Sequence, residues 1–274
     1  MGGEIIVVGM GPGPVKYLTA EARDTLLAAE EVYFRFSGHP VYQWLRGQGK
    51  ECVSFDPLYA LPGVSYDKVY VMINRTLIKA AQASGRVVYA LPGSPVVFEK
   101  TPRWLRAMAG KEGVEVKVIV GISFLEMMYQ VLEIDPADGV QIINGFDFGF
   151  YGDYPFTEYL GLLIGSVGFP TTKDPSGPDN NAAAVMRVLL KKFPPGHKVT
   201  LVWSTGMPDY EDKKRTFRLA ELPGQAGYVR NLATLYVPPV QPPWEWAQKR
   251  GKKPARTKTA KPAKKAAPKK GRKK

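Results

Sequence analysis

Cysteine is almost absent from this sequence: Cys52 stands alone in 274 residues. A single thiol excludes an internal disulfide framework and fits a reducing compartment, so a cytoplasmic protein is expected. A small apolar filler is the expected role for Cys52 itself. Histidine is nearly as scarce, with only His39 and His197. No His, Cys or carboxylate cluster has metal-ligand spacing, and no Ser-His-Asp constellation is readable, so no metal is expected. Long apolar runs are missing too, each broken by Gly, Lys or Glu within a few residues, and no spanning helix or membrane association is expected. The first apolar run has no basic segment before it, unlike a signal peptide.

Acidic residues are absent from one region in particular. Lys249 to Lys274 holds 14 Lys and Arg and no Asp or Glu, whereas residues 1–248 carry a net charge of −1. The formal +13 of the chain therefore belongs to its last segment, which also lacks aromatic and large aliphatic side chains. Such a segment cannot offset the entropy of ordering and is expected to be disordered. Two readings of it stay open: a solvated extension, or a tether to nucleic acid or another polyanion. The rest of the chain, with 45% hydrophobic and 11% aromatic residues overall, has the composition of a globular enzyme.

What is present begins at Glu4-Ile-Ile-Val-Val, a β-branched run that stops at Gly9 and reads as a buried strand of a parallel sheet. The loop Gly9-Met10-Gly11-Pro12-Gly13-Pro14 follows. Its glycines permit positive φ and close approach, while its prolines remove amide donors. It is not a dinucleotide fingerprint. Pro14 occupies the third glycine position, and the next apolar run, Glu31 to Phe34, ends at Arg35 rather than a carboxylate. The Walker pattern is absent as well.

Thr19 is the expected cap of a helix over 20–29. A short helix is expected over 41–45, a third strand over 53–56, and an amphipathic helix over 66–83 stopped by Ser84-Gly85. Val87 to Leu91 reads as another buried strand ending in Pro92-Gly93-Ser94-Pro95. A helix over about 99–109 and a strand over 114–120 follow, then Gly121-Ile122-Ser123 with Ser123 capping a helix over 124–132. Three strands thus end in glycine-containing loops at one sheet edge, the geometry of a ligand crevice. Farther on, strands are expected over 140–144, 160–167, 199–203 and 232–236, a helix over 182–191, and an extended stretch over 215–222. An exposed loop over 171–180 and a proline-rich strap over 240–246 are also expected. The implied organisation is an α/β domain over 1–119, an α+β domain over 120–239, and the basic tail over 240–274. His39 is expected to cap or brace its turn, and His197 to be a solvated loop residue.

Gly9-x-Gly11-Pro12-Gly13 with Leu18-Thr19, Pro92-Gly93-Ser94-Pro95, and Gly121-Ile122-Ser123 resemble, in order and spacing, the motifs of the tetrapyrrole (corrin/porphyrin) methylase superfamily. Arg35 to Pro40, Ser54-Phe55-Asp56 with Leu58-Tyr59, and Leu235 to Pro239 resemble its subgroup fused to MazG-type pyrophosphohydrolases. The resemblance implies a two-domain fold, with a parallel-sheet N-terminal domain and a mixed-sheet C-terminal domain. It also implies an S-adenosylmethionine-dependent methyltransferase, a homodimer, and the cofactor in the interdomain cleft. Gly93, Ser94, Val96, Val97, Ser123 and Phe124 would contact that cofactor. Gly11, Pro12 and Gly13 would face a small-molecule or peptide acceptor. Ser94 stands where corrin methylases typically carry aspartate, which counts against a classical corrinoid substrate, while a tetrapyrrole, a peptide amide and a small metabolite stay open as acceptors. The basic tail stands where a MazG domain would follow, so no pyrophosphohydrolase activity is expected. Peptide-backbone N-methyltransferases of the borosin type resemble the same subgroup and use tyrosines in a region that here holds Tyr59, Tyr66 and Tyr70. They place an arginine among them, for which the nearest in sequence is Arg75. These tyrosines are either catalytic or packing residues. A non-catalytic cofactor-binding module tethered to polyanions by the tail is the remaining alternative.

Overall fold

A computed structural model describes residues 2–145, 147–148, 152–167, 181–203, 213–225, 233–241 and 245. Met1–Val240 forms one compact unit and Gln241–Lys274 another. The expected loop over 171–180, residues 242–244 and 246 of the strap, and the tail beyond it lie outside the described residues.

The first sheet is built from β1 (Glu4–Gly9), β2 (Glu31–Phe34), β3 (Glu51–Ser54), β4 (Arg86–Leu91) and β5 (Glu115–Ile119). All its pairings are parallel, in the order β3-β2-β4-β1-β5. Side chains of β1 alternate between two cores, as the period of a strand requires. Ile5 and Val7 join Val87 and Tyr89 of β4 beneath α4 (Tyr66–Ser84) and α5 (Thr101–Ala109). Ile6 and Val8 join Val88 and Ala90 beneath α1 (Ala20–Ala28) and α2 (Pro40–Gly47). Helices on both faces explain why β1 is apolar from Ile5 to Val8 rather than alternating. Each fully buried aliphatic side chain here contributes about 1.5–3 kcal/mol.

Helix ends follow the capping chemistry of their residues. The Thr19 hydroxyl accepts from Ala22 N, and α4 ends at Gly85, whose φ of +80° supplies the left-handed stop. The third strand differs from its sequence reading. It ends at Ser54, and Asp56 opens α3 (Asp56–Tyr59). The Asp56 carboxylate accepts from Ser37 N at 2.9 Å and from both the Ser37 and Ser54 hydroxyls. With Pro57 in the first helical turn, those bonds favour a helical turn over continued strand. Tyr59 is the last residue of that turn.

The second sheet contains β6 (Val140–Asn144), β7 (Gly161–Gly165), β8 (Lys198–Trp203), β9 (Lys213–Arg218) and β10 (Thr234–Val237), ordered β6-β7-β10-β8-β9. Only the β6–β7 pair is parallel. Leu162 and Ile164 face a core shared with α7 (Ala182–Leu189), while Leu163 faces α6 (Phe124–Leu132) with Met127 and Met128. The extended stretch expected to Leu222 stops at Arg218. Leu219–Gln225 coils into a 3-10 helix whose Leu219 and Leu222 enter the core. His197 is a second correction, being no solvated residue. Its Nε2 lies 2.9 Å from the Pro238 carbonyl, and its ring lies 4.8 Å from that of Phe193.

Candidate functional site

The order β3-β2-β4-β1-β5 sends the chain one way after β1 and the other way after β4, leaving a crevice at their carboxyl ends. The loops after β1 and β4 meet there backbone to backbone. Gly11 N donates to Gly93 O at 3.1 Å, and Gly93 N donates to Gly11 O at 2.7 Å. Both residues have positive φ, +76° and +62°, which glycine adopts without penalty. The loop after β5 closes the seam. A methyl group on Gly9 would lie 2.5 Å from Gly121 N and 2.8 Å from Gly93 O, and one on Gly121 would lie 2.8 Å from Gly9 O. The Pro95 ring packs there as well, 2.7 Å from the same position on Gly9, and no further side chain fits between these three turns.

His39 braces the seam from below. Its Nδ1 accepts from Val41 N at 3.3 Å, capping α2, which leaves Nε2–H to donate to Gly11 O at 3.2 Å. Burial pulls its pKa down to about 4, against the opposing bond to Gly11. The imidazole is therefore neutral at pH 7.

Apolar side chains stand around this backbone seam. Val96 is 64% exposed, Val120 55%, and Phe98 38%. Phe98 holds a φ of +55°, uncommon for an aromatic residue. Its ring explains the geometry, lying over Gly165 of β7 and 5.3 Å from the Phe124 ring. The loop after β4 thereby reaches the second sheet. A cavity of about 460 Å³ opens beside it, with Val96, Phe98 and Glu99 on one side and Asn144 and Asp147 on the other.

Of the residues named from sequence, Gly93, Val96 and Phe124 lie on this surface. Ser94 is buried, and its carbonyl accepts from Val97 N at 3.1 Å in the turn. Val97 is half-buried. Ser123 is committed to its helix: its hydroxyl donates to Glu126 Oε2 at 2.6 Å and accepts from Leu125 N, and its own N–H donates to Glu126. Gly11 and Gly13 are buried and Pro12 is half-buried.

Tyr59, Tyr66 and Tyr70 do come together. Ring centroids lie 6.4 Å apart for Tyr59–Tyr66 and 6.5 Å for Tyr66–Tyr70, with Trp104 6.2 Å from Tyr70. The arginine among them is Arg35, however, and not Arg75. Arg35 leaves the end of β2 with its guanidinium carbon 4.8 Å from the Tyr70 ring centre and 6.0 Å from that of Tyr59. Nη1 pairs with the Glu99 carboxylate and donates to Thr101 Oγ1 at 3.3 Å. Arg75 is exposed on α4. Five residues past Tyr70, it points about 140° around the helix from that ring.

Burial opposes charge throughout this cluster. It works against the Arg35 charge, but the adjacent Glu99 carboxylate outweighs it, and the guanidinium stays protonated well above its ordinary range. Burial pushes the Glu99 carboxyl up against the pull of Arg35. It likewise raises Tyr59 to about 12, Tyr70 and Tyr66 above the usual phenol range, and Tyr89 well above it. The Tyr59 hydroxyl lies beside the Arg35 guanidinium, and the Tyr89 hydroxyl is buried without a hydrogen-bond partner among the described residues. Glu99 belongs to both features, lining the cavity and holding Arg35. The sequence places Arg35 at the strand end but carries no local signal for its partners Glu99 and Thr101, or for Trp104 beside Tyr70.

The model of the Tetrapyrrole (Corrin/Porphyrin) Methylases family matches residues 4–223. The uncharacterized protein YabN of Bacillus subtilis is 34% identical over 241 residues, covering 88% of this chain and 46% of YabN. A methyltransferase/ribosomally synthesized cyclic peptide dendrothelin A precursor from Dendrothele bispora is 26% identical over 86% of this chain and 58% of its own length. The chain thus spans about half the length of these curated relatives. Among solved structures, uroporphyrin-III-C-methyltransferase from Thermus thermophilus superposes with a TM-score of 0.61 at 21% identity, covering 87% of this chain and 93% of that one. The same enzyme complexed with S-adenyl homocysteine superposes at 0.59, with 22% identity over 86% of this chain and 92% of that one. With a family model spanning most of its length and a relative above 30% identity, the chain belongs to the tetrapyrrole (corrin/porphyrin) methylase family.

Proposed function

We propose that this chain is an S-adenosylmethionine-dependent methyltransferase that binds its donor against the loops after β1, β4 and β5. The observation that carries the reading is the close backbone seam of Gly9, Gly11, Gly93 and Gly121, flanked by the exposed apolar surfaces of Val96, Val120 and Phe98. Such a surface suits a compact donor with an apolar base and a polar tail. When bound, the donor supplies an electrophilic methyl carbon for in-line displacement. Gly93, Val96, Val97 and Phe124 hold it; Ser94 and Ser123 fix the turns and the helix start behind it. Gly11, Pro12 and Gly13 wall the acceptor side. Holding the acceptor in line and excluding water supplies roughly 7–11 kcal/mol of the barrier.

The acceptor is a small molecule or a peptide. The peptide amide is favoured by the cluster around Arg35, together with the peptide-precursor methyltransferases among the relatives. With its pKa near 12, Tyr59 is a neutral phenol at pH 7. It therefore acts as a hydrogen-bond donor beside Arg35 rather than as a ready base. Donated to an amide oxygen, those bonds stabilise the imidate oxygen formed when the N–H proton is lost to solvent ahead of methyl transfer. Tyr66 and Tyr70 pack the acceptor and fix Arg35 between them. The functional species is a homodimer, and the segment over 249–274 tethers it to a polyanion.

Calorimetry with S-adenosylhomocysteine, followed by a methyl-release assay on candidate peptides, tests the reading. Saturable one-to-one binding with turnover supports it. Binding without turnover would instead mark a regulatory module, and no binding would remove the donor site.

A further inference from the structure

Three cations crowd the wall of the cavity beside the loop after β4. Lys100, Arg103 and Arg106 all line it. Spaced three residues apart on and just before α5, they form one slanted ridge that winds about 120° around that helix and rises about 9 Å along its axis. All three are exposed, and none forms an ion pair among the described residues. The acidic residues on the cavity do not balance them. Glu99 is already paired with Arg35, which leaves Asp147 alone against three positive charges. Like charges aligned on one helical ridge repel unless something neutralises them, and a concave wall of one sign concentrates the opposite charge. The floor, by contrast, is apolar, built from Val96, Phe98 and Val118.

We propose that this cavity binds a phosphorylated small molecule with two or more contiguous phosphates, its charged chain along Lys100, Arg103 and Arg106 and its organic body on the apolar floor. Contiguous phosphates fit better than carboxylates scattered on a carbon frame, because they set several charges within the short span of the ridge. The guanidinium forks of Arg103 and Arg106 match phosphate oxygens bidentately. The cavity shares Val96 and Phe98 with the proposed donor surface and so adjoins it, but its charge recognition rests on Lys100, Arg103 and Arg106 and not on the methyl-transfer reading.

The test uses the full chain, so that the basic tail is the same in every sample. Tripolyphosphate is titrated by calorimetry at constant ionic strength into the wild type, R103A/R106A and K100Q, with citrate as the carboxylate arm. The substituted side chains are exposed, and an unchanged melting temperature checks the fold. The expected result is a saturable site for tripolyphosphate that weakens at least tenfold in R103A/R106A and less in K100Q, with citrate at least tenfold weaker than tripolyphosphate. Equal tripolyphosphate affinity in wild type and double variant would assign all binding to the tail and overturn the proposal. Citrate bound as tightly as tripolyphosphate and lost in the variant would overturn the phosphate assignment. S-adenosylhomocysteine titrated into the same variant reads the donor site separately.

Discussion

Arg35 sits where a dinucleotide-binding fold would place a carboxylate, and its surroundings explain what it does there instead. Glu99 and Thr101 hold Nη1, and the Tyr59 and Tyr70 rings flank the rest of the guanidinium. Replacing Arg35 with Lys keeps a charge but loses the planar fork. Turnover is expected to fall at least tenfold, about 1.4 kcal/mol at the transition state, while donor affinity stays within twofold; kcat and donor Kd measured together check this. Tyr59→Phe removes one hydroxyl and keeps the ring, so it too should lower kcat and spare donor binding. His39 makes a separate prediction. Its pKa is depressed from 6.5 to about 4 in the folded chain, so the unfolded chain takes up the proton first as pH falls. Its contribution to stability is complete above about pH 6.5 and is lost toward pH 4, on the order of 3 kcal/mol in all. Urea unfolding of wild type and His39→Gln at pH 7.5 and pH 5 tests this: the variant should be less stable at pH 7.5 but should lose less on acidification. At this scale the sequence was only partly readable. The tyrosines share one stretch of chain, but Arg35 reaches them only because β2 pairs with β4, an adjacency that no local spacing encodes.

The helix starts and stops were the most legible features, because their chemistry is local. Thr19, Ser123 and Gly85 occupy the ends expected of them. Ser123→Ala removes a capping box, with an expected loss of about 1 kcal/mol by thermal or chemical unfolding. Since its hydroxyl is already engaged by Glu126 and Leu125, donor affinity should change little. Gly121→Ala is expected to behave differently. Its new methyl would press on the Gly9 carbonyl at 2.8 Å, displacing one loop of the seam at about 1–3 kcal/mol of stability and weakening donor binding at least tenfold. The elements misread from sequence were decided by distant partners. Asp56 leaves the strand because Ser37, nineteen residues earlier, satisfies its carboxylate. The chain after Arg218 coils because Leu219 and Leu222 fill the second core.

The whole molecule joins a parallel sheet to a mixed one, and the glycine loops stand at the carboxyl edge of the first. This architecture was legible from alternating strands and helices followed by denser strands, since each pattern allows few layer arrangements. The contact of Phe98 with Gly165 was not, because it joins residues 67 positions apart through a backbone conformation that sequence does not announce. Deleting residues 249–274 should leave S-adenosylhomocysteine affinity unchanged and abolish salt-sensitive retention on DNA or RNA; retention that persists would remove the tether. The account rests most heavily on where the donor lies. Hydrogen exchange of the full chain, with and without saturating S-adenosylhomocysteine, measures that directly. Protection is predicted at residues 9–13, 93–98 and 120–124 together. Protection confined to other segments, or none at saturation, would contradict it.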